Sequence, residues 1–230
     1  MKKQHLAKYC DHTVLKAYTK REVVAEFCAE AIRYGAASVC VNPVNVSFVK
    51  EQLAGTGIKT CTVIGFPLGA NTAAVKAFEA ADAVKNGAEE LDMVINVGAL
   101  RDGDIDAVYE DIAGVVKAAD GKASVKVIIE TCYLSKDEIV TVCRLCQKAG
   151  ADYVKTSSGF GTRGASVEDL QLMRQTIGDT MKIKASTGIL TQEDAIIMVE
   201  AGADRLGLST LVRVVEGDAT LEMASTRNVL

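Results

Sequence analysis

A four-fold recurrence constrains this 230-residue chain more than any other feature. It reads Gly35-Ala36-Ala37-Ser38-Val39-Cys40-Val41, then Gly87-Ala88-Glu89-Glu90-Leu91-Asp92-Met93-Val94, then Gly150-Ala151-Asp152-Tyr153-Val154-Lys155, then Gly202-Ala203-Asp204-Arg205-Leu206-Gly207. Each copy follows an amphipathic stretch and leads into a short apolar run. That is the pattern of a helix closed by a glycine cap, a short turn and a buried parallel strand. The copies start about 52, 63 and 52 residues apart. Another strand fits inside each interval, so strands come every roughly 26 to 31 residues, the pace of βα units. The strands are expected at 9–13, 38–42, 60–65, 90–96, 125–130, 152–156, 182–186 and 205–209. Eight such units predict an α/β fold of one domain, a closed (β/α)8 barrel of TIM type over residues 1–220, in preference to an open doubly wound sheet. No linker divides the chain, and 221–230 reads as a loose tail without a core pattern.

Composition narrows the function classes. The apolar fraction of 49% supports a sizeable core, while a net charge of −4 with no basic stripe disfavours nucleic acid and anionic membranes as partners. No apolar stretch approaches the roughly 18 residues of a membrane span, and the first residues lack a signal-peptide core. Seven cysteines, an odd number, suggest reduced thiols in a cytoplasm. Cys143 and Cys146 form a CxxC within a helical pattern at 136–148, with no second pair to complete a zinc site, and read as packing.

In such a barrel the active site lies at the C-terminal ends of the strands. Two lysines stand there inside short apolar strands, Lys155 in Tyr153-Val154-Lys155-Thr156 and Lys184 in Lys182-Ile183-Lys184-Ala185-Ser186. Burial disfavours an ammonium group, and a second cation nearby pushes one amine further toward its neutral, nucleophilic form. An ordinary lysine titrates near 10.4, and bringing one to about 7 or 8 requires roughly 3 to 4 kcal/mol. The pair therefore suits an enzyme that forms an imine with a carbonyl substrate, Lys155 and Lys184 facing the lumen from adjacent strands about 4.8 Å apart. Asp92 on the fourth strand is the candidate for moving the protons. The other polar residues near the strand ends are Asp11-His12-Thr13, Asn96, Glu130, Thr156-Ser157-Ser158 and Ser186-Thr187-Gly188. Cys40, ending strand 2, reads as a small buried hydrophobe.

Several of these stretches together resemble the deoxyribose-phosphate aldolase family. They are Asp11-His12-Thr13-x-Leu15-Lys16, Val63-Ile64-Gly65-Phe66-Pro67-Leu68-Gly69, Glu90-Leu91-Asp92-Met93-Val94-Ile95-Asn96, Glu130-Thr131, Val154-Lys155-Thr156-Ser157-Ser158-Gly159-Phe160-Gly161 and Ile183-Lys184-Ala185-Ser186. The resemblance runs in register from about 6 to 216. It implies a TIM barrel and a class I lyase that needs no metal or other cofactor. Such an enzyme splits 2-deoxy-D-ribose 5-phosphate reversibly into acetaldehyde and D-glyceraldehyde 3-phosphate. It implies that Lys155 forms the Schiff base, that Lys184 is the second lysine beside it, and that Asp92 relays protons through an ordered water. Asp11 and Thr13 match the family's first-strand motif near the lysines and substrate, and Thr156 and Ser157 are taken with them as substrate-binding. The expected partners are small aldehydes and sugar phosphates. Barrels of this sort often pair, so a homodimer is the expected assembly, although no interface is legible.

The match weakens at the phosphate end. Phosphate in barrels is often held by the loops after strands 7 and 8, here Ser186, Thr187, Gly188 and Gly207, Ser209, Thr210. The family usually has paired glycines where this chain has Thr187-Gly188, and Leu208 is larger than the residue usual after Gly207. A β-carbon at 187 restricts φ and fills space. Either Thr187 contributes a hydroxyl and phosphate still binds, or the pocket has been altered, naturally or by engineering, toward an uncharged or differently shaped aldehyde. A remoter alternative is a sugar-phosphate-binding barrel that does not catalyse. Gly159-Phe160-Gly161-Thr162-Arg163-Gly164 spells a dinucleotide fingerprint, but it follows the sixth strand and no acidic residue ends the next one. A metal-dependent aldolase finds no His/Glu cluster, the two histidines being His5 and His12.

Overall fold

The computed structural model describes residues 6–221. Eight strands form a closed, all-parallel barrel in sequence order: β1 (Cys10–Val14), β2 (Ser38–Val41), β3 (Lys59–Ile64), β4 (Glu90–Val94), β5 (Ser124–Ile128), β6 (Tyr153–Lys155), β7 (Lys182–Ser186) and β8 (Arg205–Leu208). β1 closes on β8 through Asp11 opposite Gly207. Each strand lies within two residues of its expected range. The tail expected at 221–230 lies, but for its first residue, outside the described residues, as does His5.

The main helices that follow the strands are α1 (Arg21–Tyr34), α2 (Val46–Gln52), α3 (Ala73–Lys85), α4 (Val97–Arg101), α5 (Ile105–Ala119), α6 (Lys136–Ala149), α7 (Val167–Ile177), α8 (Gln192–Glu200) and α9 (Leu211–Glu216). Local chemistry sets their ends. Ser135 and Glu138 form a capping box at the start of α6, and Gly150 at φ 80° closes it. Gly35 at φ 72° closes α1 in the same way. The CxxC of α6 is buried and its thiols are free; burial pushes Cys143 up to about 12.

The apolar core is a sleeve between the strands and the helices. Val39, Leu91, Met93, Val125, Val154, Ile183, Ala185 and Leu206 from the strands meet Phe27, Ile112, Val142 and Leu170 from the helices, all almost wholly buried. Alternation along each strand then directs the other residues into the lumen. On β1, His12 faces outward, stacked on Phe27 at 4.0 Å between ring centroids and bonded to Glu30 at 2.8 Å, whereas Asp11 faces inward. A buried ion pair fastens the outside near the strand ends: Lys76 donates to Asp111 at 2.6 Å and to the carbonyl of Val94 at 2.8 Å.

Candidate active site

The lumen holds charge where barrel interiors are more often filled with branched apolar side chains. Lys155 on β6 and Lys184 on β7 stand opposite each other in register. Both donate to the same oxygen, Asp92 Oδ2 on β4, at 2.7 Å each. The second oxygen of Asp92 accepts from Lys126 of β5 at 2.8 Å. Lys126 also pairs with Glu90 at 2.7 Å and lies 3.6 Å from Asp11. Lys184 donates to Asp11 as well, and the other oxygen of Asp11 accepts from Arg205 at 2.5 Å and from Ser38 at 2.7 Å. Arg205 continues to Glu90 at 3.1 Å.

The electrostatics follow from this geometry. Burial alone would raise Asp92, but the ammonium groups of Lys126, Lys155 and Lys184 outweigh it and hold the carboxyl well below its ordinary range. Asp11 is lowered for the same reason, burial being overcome by Lys184, Lys126 and Arg205. Burial would lower Lys184, yet Asp11 and Asp92 hold it above the ordinary lysine value, so it stays cationic. Lys126 is likewise raised, burial being outweighed by Asp92 first.

A cavity of about 280 Å³ lies over this layer, bordered by the ends of β1, β6, β7 and β8 and the loops that follow them. Lys155, 3% exposed, is on its wall; Lys126, Lys184 and Asp92 are fully buried beneath and are not. The six residues expected at the phosphate end, Ser186, Thr187, Gly188, Gly207, Ser209 and Thr210, all line the cavity. Thr13 lines it too, its hydroxyl donating to the carbonyl of Asp11 at 2.9 Å. Apolar residues that sequence reasoning did not place here, Leu15, Phe160 and Leu190, make up much of the remaining wall together with Ile189 of the loop after β7.

Asp11, Thr156 and Ser157, expected near substrate, do not border the cavity. Asp11 lies below as an anchor for Lys184 and Arg205. Thr156 turns away from the lumen and ties β6 to β7: its hydroxyl accepts from the Ser186 N–H at 3.1 Å and from Ser157 at 3.0 Å. The loop after β6 is pinned by Glu130, whose carboxylate accepts from the Ser158 N–H at 3.2 Å and from the Ser158 hydroxyl. Thr187 sits at φ 72°, the left-handed region that a β-branched residue rarely adopts.

Cys40 and Cys61, in register on β2 and β3, bring their sulfurs within 4.8 Å of each other and of an Asp92 oxygen. Cys61 donates to Asp92 Oδ1 at 3.3 Å. Both Asp92 oxygens already accept from lysines, so a cation at this cluster would have to displace them.

Residues 5–214 match the DeoC/LacD family aldolase model. The chain belongs to this aldolase family. A deoxyribose-phosphate aldolase of Thermococcus gammatolerans is 55% identical over 220 residues, 94% of this chain and 98% of that relative. One of Streptococcus suis is 57% identical over 212 residues, 92% of this chain and 96% of the relative. Among solved structures, the deoxyribose phosphate aldolase of Aeropyrum pernix, described as a unique tetramer, superposes with a TM-score of 0.88 at 34% identity, covering 96% of this chain and 93% of its own. This aldolase is therefore a lyase on a TIM barrel, and its charged lumen is the natural place to look for its chemistry.

Proposed function

We propose that this aldolase reversibly cleaves 2-deoxy-D-ribose 5-phosphate to acetaldehyde and D-glyceraldehyde 3-phosphate through an imine on Lys155. One observation carries the choice of lysine. Of the three lysines buried in the lumen among the described residues, Lys155 alone reaches the cavity wall.

The Lys155 amine adds to the C1 aldehyde of the open-chain sugar, and the carbinolamine loses water to give an iminium ion. The C3 hydroxyl gives up its proton, the C2–C3 bond breaks, and its electron pair moves into the iminium as an enamine while glyceraldehyde 3-phosphate leaves. The enamine takes a proton at C2, and water releases acetaldehyde and restores the amine. Asp92, touching both lysines, passes these protons with Lys184 as the acid; held so low, it relays protons and does not store them. This route uses no metal.

We place the phosphate over the loop residues Thr187, Gly188, Ser209 and Thr210 with Gly207, the glycerol end meeting Thr13, and Ser186, expected with them, nearer the lysines at the end of β7. Asp11, Thr156 and Ser157 act from behind by holding the lysine layer and the β6–β7 seam. The catalytic unit is the single barrel formed by the described residues. We place the enzyme in the cytoplasm; no helix among the described residues is long and apolar enough to cross a membrane. For its assembly we keep a homodimer, which light scattering would separate from a tetramer like that of the Aeropyrum protein.

Borohydride reduction in the presence of acetaldehyde, followed by peptide mass mapping, tests the reading. A two-carbon adduct is expected on Lys155. An adduct on Lys184 instead would reverse the two roles. Parallel kinetics with 2-deoxyribose 5-phosphate and 2-deoxyribose test the phosphate end, a strong preference for the phosphorylated sugar being expected.

A further inference from the structure

Ser186 presents a hydroxyl with nothing to bind. The residue is 4% exposed, and its Oγ has no hydrogen-bond partner among the described residues. Buried polar groups are rarely left so, and one in a cavity wall calls for a ligand atom. Its main chain is fully engaged: the N–H donates to Thr156 Oγ1 at 3.1 Å, and the carbonyl accepts from the N–H of Ala165 at 3.0 Å. The backbone is thus fixed while the side chain is left to the cavity.

The surroundings keep that position open. Ser186 pairs in register with Gly207 of β8. A β-carbon at 207 would run into Ser186 Oγ and come within 2.9 Å of Lys184 Cε. Glycine there preserves the space that the hydroxyl and Lys184 share. Ser186 also lies two residues beyond Lys184 on the same side of β7, about 6.6 Å further toward the mouth. Lys184 is level with Lys155. Ser186 and Lys155 both border the cavity, so the hydroxyl and the imine nitrogen face the same substrate.

We propose that Ser186 Oγ hydrogen-bonds the oxygen of the acceptor aldehyde, the atom that becomes the hydroxyl on C3 of the aldol. It orients that carbonyl toward the enamine on Lys155. In cleavage the same bond steadies the C3 oxygen as it becomes a carbonyl. The assignment rests on the imine reading above. It makes Ser186 a residue of the carbon–carbon bond step and not of imine or enamine formation.

That division supplies the test. Acetaldehyde alone, incubated with the enzyme in D2O, exchanges its methyl protons through reversible enamine formation, a step that makes no carbon–carbon bond. The Ser186→Ala variant is expected to retain this exchange within about two-fold, while kcat/KM for cleavage of 2-deoxyribose 5-phosphate falls roughly 10- to 100-fold. Ser186→Thr, which keeps a hydroxyl, should recover cleavage relative to the alanine variant. Equal losses in exchange and cleavage, no loss in either, or a threonine variant as poor as alanine would each overturn the assignment. Absence of exchange in the unsubstituted enzyme would instead sink the imine reading.

Discussion

Lys155 and Lys184 share a single acceptor, Asp92 Oδ2, at 2.7 Å each. The two amines are thus joined through one carboxylate oxygen, yet only one of them meets the cavity. Their replacement should separate their roles. Lys155→Leu is expected to lose both the borohydride adduct and cleavage. Lys184→Leu should keep a weak adduct on Lys155 and lose roughly 10²- to 10⁴-fold in cleavage, the range for removing an acid–base group. Peptide mapping of both variants with steady-state rates checks this; a fully active Lys184→Leu would refute the shared-proton scheme.

Lys126 should matter for stability. It is fully buried and pairs with Asp92 at 2.8 Å and Glu90 at 2.7 Å. Removing one member of a buried ion cluster leaves its partners uncompensated, at a cost of about 3–5 kcal/mol. Lys126→Met, close in shape, is expected to lower the urea midpoint accordingly with the slope unchanged. A loss below about 1 kcal/mol would mean that the cluster rearranges around the gap.

Much of this was legible in the chain. The Gly-Ala recurrence marks helix ends and strand starts because a left-handed cap and a buried strand each demand particular residue types at fixed spacing. Period-two alternation then puts Lys184 and Ser186 on one face of β7. Applied strictly, the same rule turns Thr156 away from the lumen, since Lys155 beside it points in; placing Thr156 at substrate overlooked this. Lys126 obeyed the rule as well, a lysine within the apolar Val125-Lys126-Val127, but it lies outside the motifs that carried the family resemblance. Arg205 and Glu90 could not be paired beforehand. They are 115 residues apart in sequence and meet only because the barrel closes. The apolar cavity wall from Leu15, Phe160, Ile189 and Leu190 depended on loop conformations that no local pattern fixes.

Thr187 offers a test of strain. Its φ of 72° is unfavourable for a residue branched at Cβ, and Gly164 packs tightly against its main chain. Such backbone costs of order 1–3 kcal/mol, partly offset by the extra unfolded-state freedom of glycine. Thr187→Gly is therefore expected to stabilise the enzyme by about 1 kcal/mol in urea unfolding. Because residue 187 lines the phosphate end, the same variant should lower KM for 2-deoxyribose 5-phosphate more than for 2-deoxyribose. A destabilised variant would show that the threonine side chain contributes contacts exceeding the strain.

Acid should unfold this barrel through its lumen. Asp11 and Asp92 both titrate below their ordinary range when folded, burial being outweighed by the lysines and, for Asp11, Arg205 as well. For a carboxyl lowered in the folded state, the unfolded chain takes up the proton first as pH falls. The stabilisation is thus fully present above about pH 4 to 5, where unfolded carboxylates are ionised, and is lost as pH falls toward the lower folded values. Two such groups give a slope approaching about 2.7 kcal/mol per pH unit below roughly pH 3.9. Urea midpoints taken between pH 7 and pH 2.5 would trace it. These two groups predict little change above pH 5 and a steep fall below 4, and a flat profile in the acid range would mean that the lumen carboxylates are already protonated in the folded enzyme.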